Sequence, residues 1–305
     1  MNSSRTFTHA AASLVAALLT TTAAAGALIA QTPTGGAPAA PPPTTAVIGA
    51  PVAASPTVVR VCGDPDNLPF SNDRKEGFEN KIAELVARDL GKSVAYMWWP
   101  HRRGFVRNTL RAKECDLIVG VPGGFDPVAS TKPYYRSTYY IMSRADRKPP
   151  IRSIDDPALK RLRVGVHTIG NDYENTPPAH ALGTRGVRAV GFPTFYGESS
   201  NYKPEDIINA LVDRKIDVAV VWGPLAGYYA KRASVPLTLV PLPDSDTTAA
   251  TRLPFAYNVT MGVRRADTEF RAQLDSVLER RKPEIARILQ DYGIPTLPIV
   301  PPPAR

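Results

Sequence analysis

Residues 58–70 read VVRVCGDPDNLPF, and this stretch begins an α/β fold. The β-branched run 58–62 predicts a strand, and Gly63-Asp64-Pro65 predicts the turn that ends it. Helices and strands then alternate, because apolar residues recur first at helical spacing and then in short continuous runs. The predicted elements are a helix at 79–90, a strand at 94–99, a helix at 104–112 and a strand at 117–121. Such alternation predicts a parallel sheet covered on both faces.

The pattern restarts after a polar, proline-containing segment at 146–162, where we expect the chain to cross to a second lobe. A strand at 163–166 begins the new series, and a last strand at 257–263 is expected to pair into the sheet of 58–62. The predicted fold class is therefore α/β, with two lobes, parallel-rich sheets and two crossovers. The lobes are 58–145 plus 250–300, and 150–243. Ligands of such sheets bind at the carboxyl ends of the strands, so we expect a cleft between the lobes.

The first 57 residues lack the pattern of a packed domain. Residues 1–30 hold Arg5 near the start, then a run rich in alanine, leucine and threonine, and small residues where a signal peptidase could cut. We predict a signal peptide and hence export to the periplasm. The alternative is a membrane anchor, for which the run is too rich in alanine and threonine. Residues 31–57, rich in proline and threonine, predict a disordered linker.

The chain carries a net charge of +9 and has two cysteines. Export makes nucleic acid an improbable partner for this charge, which leaves either general solubility or an acidic partner protein. Cys62 ends one predicted strand and Cys115 precedes another. If these strands are parallel neighbours, the sulfurs lie out of register, so we expect two buried thiols rather than a disulfide. No histidine or cysteine spacing indicates a metal site.

Several longer sequence motifs are typical of one family of exported proteins. The opening strand, the loop that ends Pro69-Phe70 and the following Gly77-Phe78-Glu79 resemble the periplasmic solute-binding proteins of the amino-acid-receptor type. Other words resemble the branch associated with quinoprotein dehydrogenases, the MoxJ/XoxJ type. They are WWPHRRGFVRNTL (98–110), CD (115–116), GVP (120–122), PYYRS (133–137), NTPPAHAL (175–182) and VWGPLAGYY (221–229), so the resemblance extends from about 60 to 295.

This resemblance implies a type II periplasmic binding protein fold and a role beside a dehydrogenase that uses pyrroloquinoline quinone (PQQ). The chain would be a periplasmic accessory protein that assists maturation, activation or coupling of a methanol or alcohol dehydrogenase. That dehydrogenase is the expected partner, its electron-acceptor cytochrome is a second candidate, and the chain itself is expected to hold no cofactor. The alternative is the substrate-binding protein of an ABC transporter for a small metabolite other than an amino acid.

Two positions depart from the amino-acid receptors. Where those receptors place an arginine that clamps the ligand carboxylate, this chain has Val128. Where they place an aspartate that holds the ligand amino group, it has Trp222. A zwitterion needs two opposed charges in the site, because an unpaired buried charge is costly. We therefore expect no standard amino acid to bind in the cleft.

The cleft is nevertheless expected to contact a ligand or a partner. Trp98 and Trp99 are neighbours at the end of a predicted strand. Because successive side chains of a strand point to opposite faces, only one of the two can easily face the cleft. The candidate contact residues are Asp64, Asn67, Phe70, Trp99, Arg102, Arg103, Phe125, Tyr135, Asn171 and Trp222. The alternatives are core packing for the tryptophans, surface charge for the arginines, and helix capping for Asp64, Asn67 and Asn171.

We do not expect catalysis. A general acid or base is a carboxyl or histidine whose pKa is shifted in a cleft. Asp64 and Glu198 are available for a dehydratase-like reaction, but the sequence shows no paired arrangement.

Overall fold

The computed structural model describes residues 57–169, 174–193, 203–246 and 252–301. The predicted signal peptide, and the predicted linker apart from Thr57, lie outside these residues. The strands are β1 (Val58–Gly63), β2 (Asp66–Asn67), β3 (Ser71–Asn72), β4 (Ser93–Trp98), β5 (Ile118–Pro122), β6 (Ala129–Ser130), β7 (Tyr135–Arg144), β8 (Val164–Ile169), β9 (Glu174–Asn175), β10 (Ala189–Pro193), β11 (Val218–Trp222), β12 (Leu237–Pro241), β13 (Ser245–Asp246), β14 (Leu253–Pro254) and β15 (Ala256–Val263). The helices are α1 (Phe78–Asp89), α2 (Phe105–Asn108), α3 (Pro177–Thr184), α4 (Asp206–Val212), α5 (Gly223–Ala230), α6 (Thr268–Arg280) and α7 (Lys282–Asp291), with a 3-10 turn at Pro157–Arg161.

The first strand group consists of β1, β4, β5 and β15. Strands β1 and β4 are parallel neighbours, and a parallel bridge between Val61 and Leu117 joins β1 to the chain leading into β5. Helix α1 covers this group and buries Phe78 and Ile82 completely. The predicted helix at 79–90 and strand at 94–99 correspond to α1 and β4. The helix predicted at 104–112 is shorter, because the chain turns after Asn108.

The second strand group consists of β8, β10, β11 and β12. Strands β10 and β11 flank β8 and run parallel to it, as the restart of the sequence pattern predicts. Helix α4 buries Ile207 and Leu211 in an apolar core that also contains Ala219 and Val221 of β11. The carboxyl end of β11 lies directly before α5, so the strand delivers Trp222 to the start of a helix.

Strand β7 belongs to both groups. Its residues 135–138 pair with β15, 139–142 pair with β11 and 140–144 pair with β12, all antiparallel. Strand β15 in turn pairs antiparallel with β5 in the first group. The sequence pattern placed the crossing at 146–162. The chain therefore passes between the groups within a strand, earlier than the pattern suggested.

The prediction of two free thiols is wrong. Cys62 and Cys115 form a disulfide, with Cα atoms 5.4 Å apart. The prediction assumed that Cys115 continues the straight line of the following strand, several residues out of register with Cys62. The chain instead turns through 109–114 and joins β1 only where the N–H groups of Asp116 and Leu117 donate to the Arg60 carbonyl. That turn brings Cys115 to Cys62, within the usual range of disulfide geometry.

The disulfide predicts a measurable share of the stability. It closes a loop of 53 residues, for which chain entropy gives about 4 kcal/mol. The double variant Cys62→Ser with Cys115→Ser should unfold at a temperature lower by about 10 °C. Thermal unfolding with and without reductant measures this, and reductant should not affect the variant. Equal stability of the wild type and the variant would contradict the structural role of the bond.

Candidate binding site in the cavity between the strand groups

A cavity of about 410 Å³ lies between the two strand groups. Its wall combines the ends of β1 and β5 with residues of β7, β8, β11 and β15. The described residues that line it are Cys62, Gly63, Asp64, Asn67, Phe70, Ser71, Glu79, His101, Phe105, Ile118, Gly120, Val121, Pro122, Tyr135, Tyr139, His167, Thr176, Pro177, Pro204, Trp222, Leu225, Tyr257 and Val259.

The register of β7 builds an aromatic wall. Tyr135 and Tyr139 stand four residues apart on β7 and so share one face of the strand. Tyr139 lies opposite Trp222, with ring centroids 5.2 Å apart, and the Trp222 ring is 5.9 Å from that of Tyr257. Burial raises the pKa values of Tyr135 and Tyr139 above their ordinary value, so both phenols are neutral at pH 7.

Asp64 follows β1 and is 6% exposed. Its Oδ1 accepts a hydrogen bond from the Asp66 N–H (2.9 Å), and its Oδ2 accepts one from the His101 N–H (2.6 Å). Burial raises the pKa of this carboxyl, and the two backbone hydrogen bonds oppose that rise. Because each oxygen binds backbone, Asp64 fastens the turn after β1 to the segment after β4.

Glu79 has a different environment. It stands in the first turn of α1 and its carboxyl lies against Gly120 of β5, where a Cβ atom would find no room. Among the described residues, none makes a hydrogen bond or an ion pair with this carboxyl. Burial, together with the charge of Asp64, raises the pKa of Glu79 to about 8. At pH 7 Glu79 is therefore mostly protonated, and it lines the cavity.

Two histidines complete the polar part of the wall. His101 packs its ring on Phe105, with centroids 4.6 Å apart, and burial lowers its pKa. His167 of β8 is 4% exposed; burial lowers its pKa to about 4, and its Nε2 has no hydrogen-bond partner in the described structure. Nowhere among the described residues do three or more His, Cys, Asp or Glu side chains come together as a metal site.

The cavity contains some of the predicted contact residues. Asp64, Asn67, Phe70, Tyr135 and Trp222 line it.

The other predicted contact residues are placed elsewhere or lie outside the description. Trp99 packs on the apolar cluster around Phe105, with the Arg102 guanidinium 5.9 Å from its ring. Arg103 is exposed, and Phe125 is 37% exposed on the loop after β5. The structure thus puts these four residues outside the cavity lining, with Trp99 packed on the apolar cluster and Arg103 and Phe125 exposed. Asn171 lies outside the described residues.

Sequence reasoning missed several residues of the wall. Glu79, His101, His167, Tyr139 and Tyr257 all line the cavity. The sequence pattern predicts a helix start at Glu79, where an acidic residue is common. A usable signal was Gly120 within an otherwise apolar strand, because such a glycine often marks the close approach of another group.

The wall lacks the basic group of an amino-acid receptor. Neither arginine nor lysine occurs among the described residues that line the cavity. Val128 is 6% exposed and packs in the cluster of Cys62 and Phe105, whereas Trp222 lines the cavity. The described wall therefore offers carboxyl, neutral imidazole, hydroxyl and aromatic groups.

Comparisons with known proteins agree on one relationship. No protein-family model matches the chain. Protein MoxJ of Methylorubrum extorquens is 33% identical over 255 residues, covering 79% of this chain and 82% of MoxJ. The crystal structure of the periplasmic binding protein XoxJ from Methylobacterium extorquens AM1 is 35% identical with a TM-score of 0.63, covering 79% of this chain and 100% of XoxJ. That of MxaJ from Methlophaga aminisulfidivorans MPT is 27% identical with a TM-score of 0.68, covering 78% of this chain and 100% of MxaJ.

The chain has the type II periplasmic binding protein fold, with a cavity between its two strand groups. An ancestral arginine-binding protein bound to glutamine shares this fold at 18% identity, with a TM-score of 0.53. Within that class, the chain belongs to the MoxJ family. The predicted resemblance to the MoxJ/XoxJ type and the predicted fold class are confirmed. The described part of the chain contains no helix with the length and apolar character needed to cross a membrane.

The environment of Glu79 predicts a pH-dependent cost to stability. Its pKa rises from an ordinary 4.5 to about 8 on folding. The contribution of Glu79 to the stability of the folded state is therefore fully present below pH 4.5 and is lost as the pH rises to 8. Glu79→Gln removes the ionisation. The variant should gain stability over the wild type between pH 5 and pH 8, with a constant difference above that range.

Urea unfolding across this pH range measures the difference. Glu269→Gln, which changes an exposed carboxyl on α6, serves as the matched control and should follow the wild type. Parallel stability curves for Glu79→Gln and the wild type would show that Glu79 ionises as freely as an exposed glutamate.

Proposed function

We propose that this chain is a periplasmic accessory protein of a PQQ-dependent methanol or alcohol dehydrogenase, which it assists in maturation, activation or coupling. The observation that carries the proposal is family membership across the folded body, with 33% identity to MoxJ. The wall of the cavity supports it, because the described lining has no basic group to clamp an amino-acid carboxylate. The predicted signal peptide and the similarity to XoxJ, a periplasmic binding protein, support a periplasmic location.

Docking is best supported at the segment between β4 and β5, which we call the arginine surface: Arg102, Arg103, Arg107, Arg111 and the neighbouring Phe125. Arg103, Arg107 and Arg111 are exposed. The Arg111 guanidinium reaches the Pro127 carbonyl (3.4 Å), which places the loop that carries Phe125 beside it. Arginine together with an exposed aromatic ring is typical of protein interfaces.

The positive charge of the chain indicates which kind of partner this surface would attract. The chain carries +9 overall, so its field favours an acidic partner and accelerates encounter with it. Exposed charges are screened beyond about 8 Å at physiological ionic strength, and binding that depends on them weakens as salt rises. An electrostatically steered complex therefore differs from an apolar one in its response to salt.

The arginine surface predicts salt-sensitive binding to a PQQ-dependent alcohol dehydrogenase from the same organism. Affinity should fall between about 20 mM and about 300 mM salt, and Arg102→Ala with Arg103→Ala should weaken it by about tenfold at the lower salt concentration. The pair Lys160→Ala with Arg161→Ala removes two exposed, adjacent cations from another part of the surface and serves as the control. Titration calorimetry of the tagged proteins measures all three.

The results separate the hypotheses. Detectable binding that responds neither to salt nor to the Arg102 and Arg103 changes would mean that the interface is apolar and lies elsewhere. No binding at the lower salt concentration would contradict the accessory function itself.

A second candidate function is the substrate-binding protein of a transporter for a small metabolite other than an amino acid. The observation that favours it is the cavity, whose volume of about 410 Å³ suits a small organic molecule. The two candidate functions use different parts of the molecule, namely the cavity and the arginine surface.

A further inference from the structure

The described wall of the cavity contains acidic side chains but neither lysine nor arginine. Glu79 and Asp64 supply carboxyl groups at the first strand group, while the described lining contains no lysine or arginine. The two carboxyls also differ. Both carboxylate oxygens of Asp64 accept hydrogen bonds from backbone N–H groups, whereas Glu79 has no hydrogen-bond or ion-pair partner among the described residues. Glu79 is thus the acceptor that remains open to a ligand.

Across the cavity, the second strand group offers another open acceptor. His167 is 96% buried, and its Nε2 has no partner in the described structure. Its depressed pKa keeps the ring neutral, and a neutral ring accepts a hydrogen bond at the nitrogen that carries no proton. A buried polar atom without a partner costs free energy, which a ligand with an N–H donor would recover.

The aromatic wall lines the same cavity as these two groups. Trp222 contacts both Tyr139 and Tyr257 edge to face. Faces of such rings attract cations, most strongly when water is excluded, and the rings pack well against a flat apolar body.

We infer that the cavity binds a small organic cation, in which a primary ammonium group faces Glu79 and an apolar or aromatic body packs against Tyr139, Trp222 and Tyr257. The inference rests on the second candidate function, since it requires a solute in the cavity, and it names the class of that solute. A ligand with a carboxylate is disfavoured, because its charge would meet Asp64 and Glu79 without a basic partner. A neutral alcohol forms hydrogen bonds there but no ion pair.

Binding of the cation entails a proton transfer that balances. The titratable groups that face Glu79 are Asp64 after β1, Tyr96 of β4, Tyr134 before β7 and Tyr135 of β7, and His101 faces Asp64. The three phenols and the His101 ring are neutral at pH 7, so the ammonium pairs with the Glu79 carboxylate. With a pKa of about 8, Glu79 holds close to one proton at pH 7, and that proton passes to the buffer as the ion pair forms.

Four probes that share one phenyl ring test the ligand class. Benzylamine carries the ammonium, benzyl alcohol is its neutral counterpart, benzoate is an anion, and phenylglycine adds a carboxylate to the carbon that bears the amine. Titration calorimetry with the whole protein at pH 7 should show binding of benzylamine alone, with about one proton released when buffers of different ionisation enthalpy are compared. Benzylamine affinity should rise about 50-fold from pH 6 to pH 8, following the pKa of about 8.

Glu79→Gln should weaken benzylamine by at least about thirtyfold and abolish proton release, as expected when one partner of a buried ion pair is removed. Glu269→Gln is the matched control and should bind like the wild type. Equal binding of benzyl alcohol and benzylamine, or of phenylglycine and benzylamine, would overturn the ligand class while leaving a solute-binding function. Binding of none of the four would overturn both, and the salt titration of the dehydrogenase complex would still test the accessory function separately. Proton release by the wild type decides the matter even if Glu79→Gln fails to fold.

Discussion

The backbone pairing of β7 is the constraint on which the rest of the structure depends. One edge of this strand holds β15 and β12 and the other holds β11, so a single ten-residue element fixes both strand groups. The same register places Tyr139 opposite Trp222 and Tyr135 opposite Val259, and all four line the cavity. A slip of one residue would turn these side chains to the other face of the strand. This part of the cavity wall is therefore determined by the backbone hydrogen bonds that join the two strand groups.

The open carboxyl of Glu79 depends on local features of the sequence that fit this frame. Gly77 precedes α1 where its missing Cβ allows the backbone to pass close to Phe70, and Gly120 leaves space for the Glu79 side chain on β5. These two close approaches bring a carboxyl into a low-dielectric site beside Asp64 with no cation among the described lining residues. Such a site is costly for an apo protein, and binding sites commonly retain groups whose preferred partner is a ligand. The exposed Arg103, Arg107 and Arg111 lie outside the lining of this cavity.

Much of the fold could be predicted from the sequence, because periodicity and turn chemistry are local. The alternation of β1, α1 and β4 and its restart at β8 were readable from spacing alone. The disulfide was missed because register arguments assume straight strands, and the turn before Asp116 breaks that assumption. Most of the cavity wall was also missed, since residues such as Glu79 and His167 reach the cavity through tertiary packing that local patterns do not encode. Trp99 shows the converse case: its position in a distinctive word suggested a contact residue, yet it packs on the cluster around Phe105.

The cavity is lined by a proton-holding carboxyl, that of Glu79, which has no hydrogen-bond or ion-pair partner among the described residues and is suited to a cation. The most direct measurement is an NMR titration of the protein labelled with ¹³C at glutamate side chains, with Glu79 assigned from Glu79→Gln. The account predicts a midpoint near 8 in the free protein, moving downward by more than one unit when benzylamine saturates the cavity. A midpoint near 4.5, unchanged by benzylamine, would contradict it.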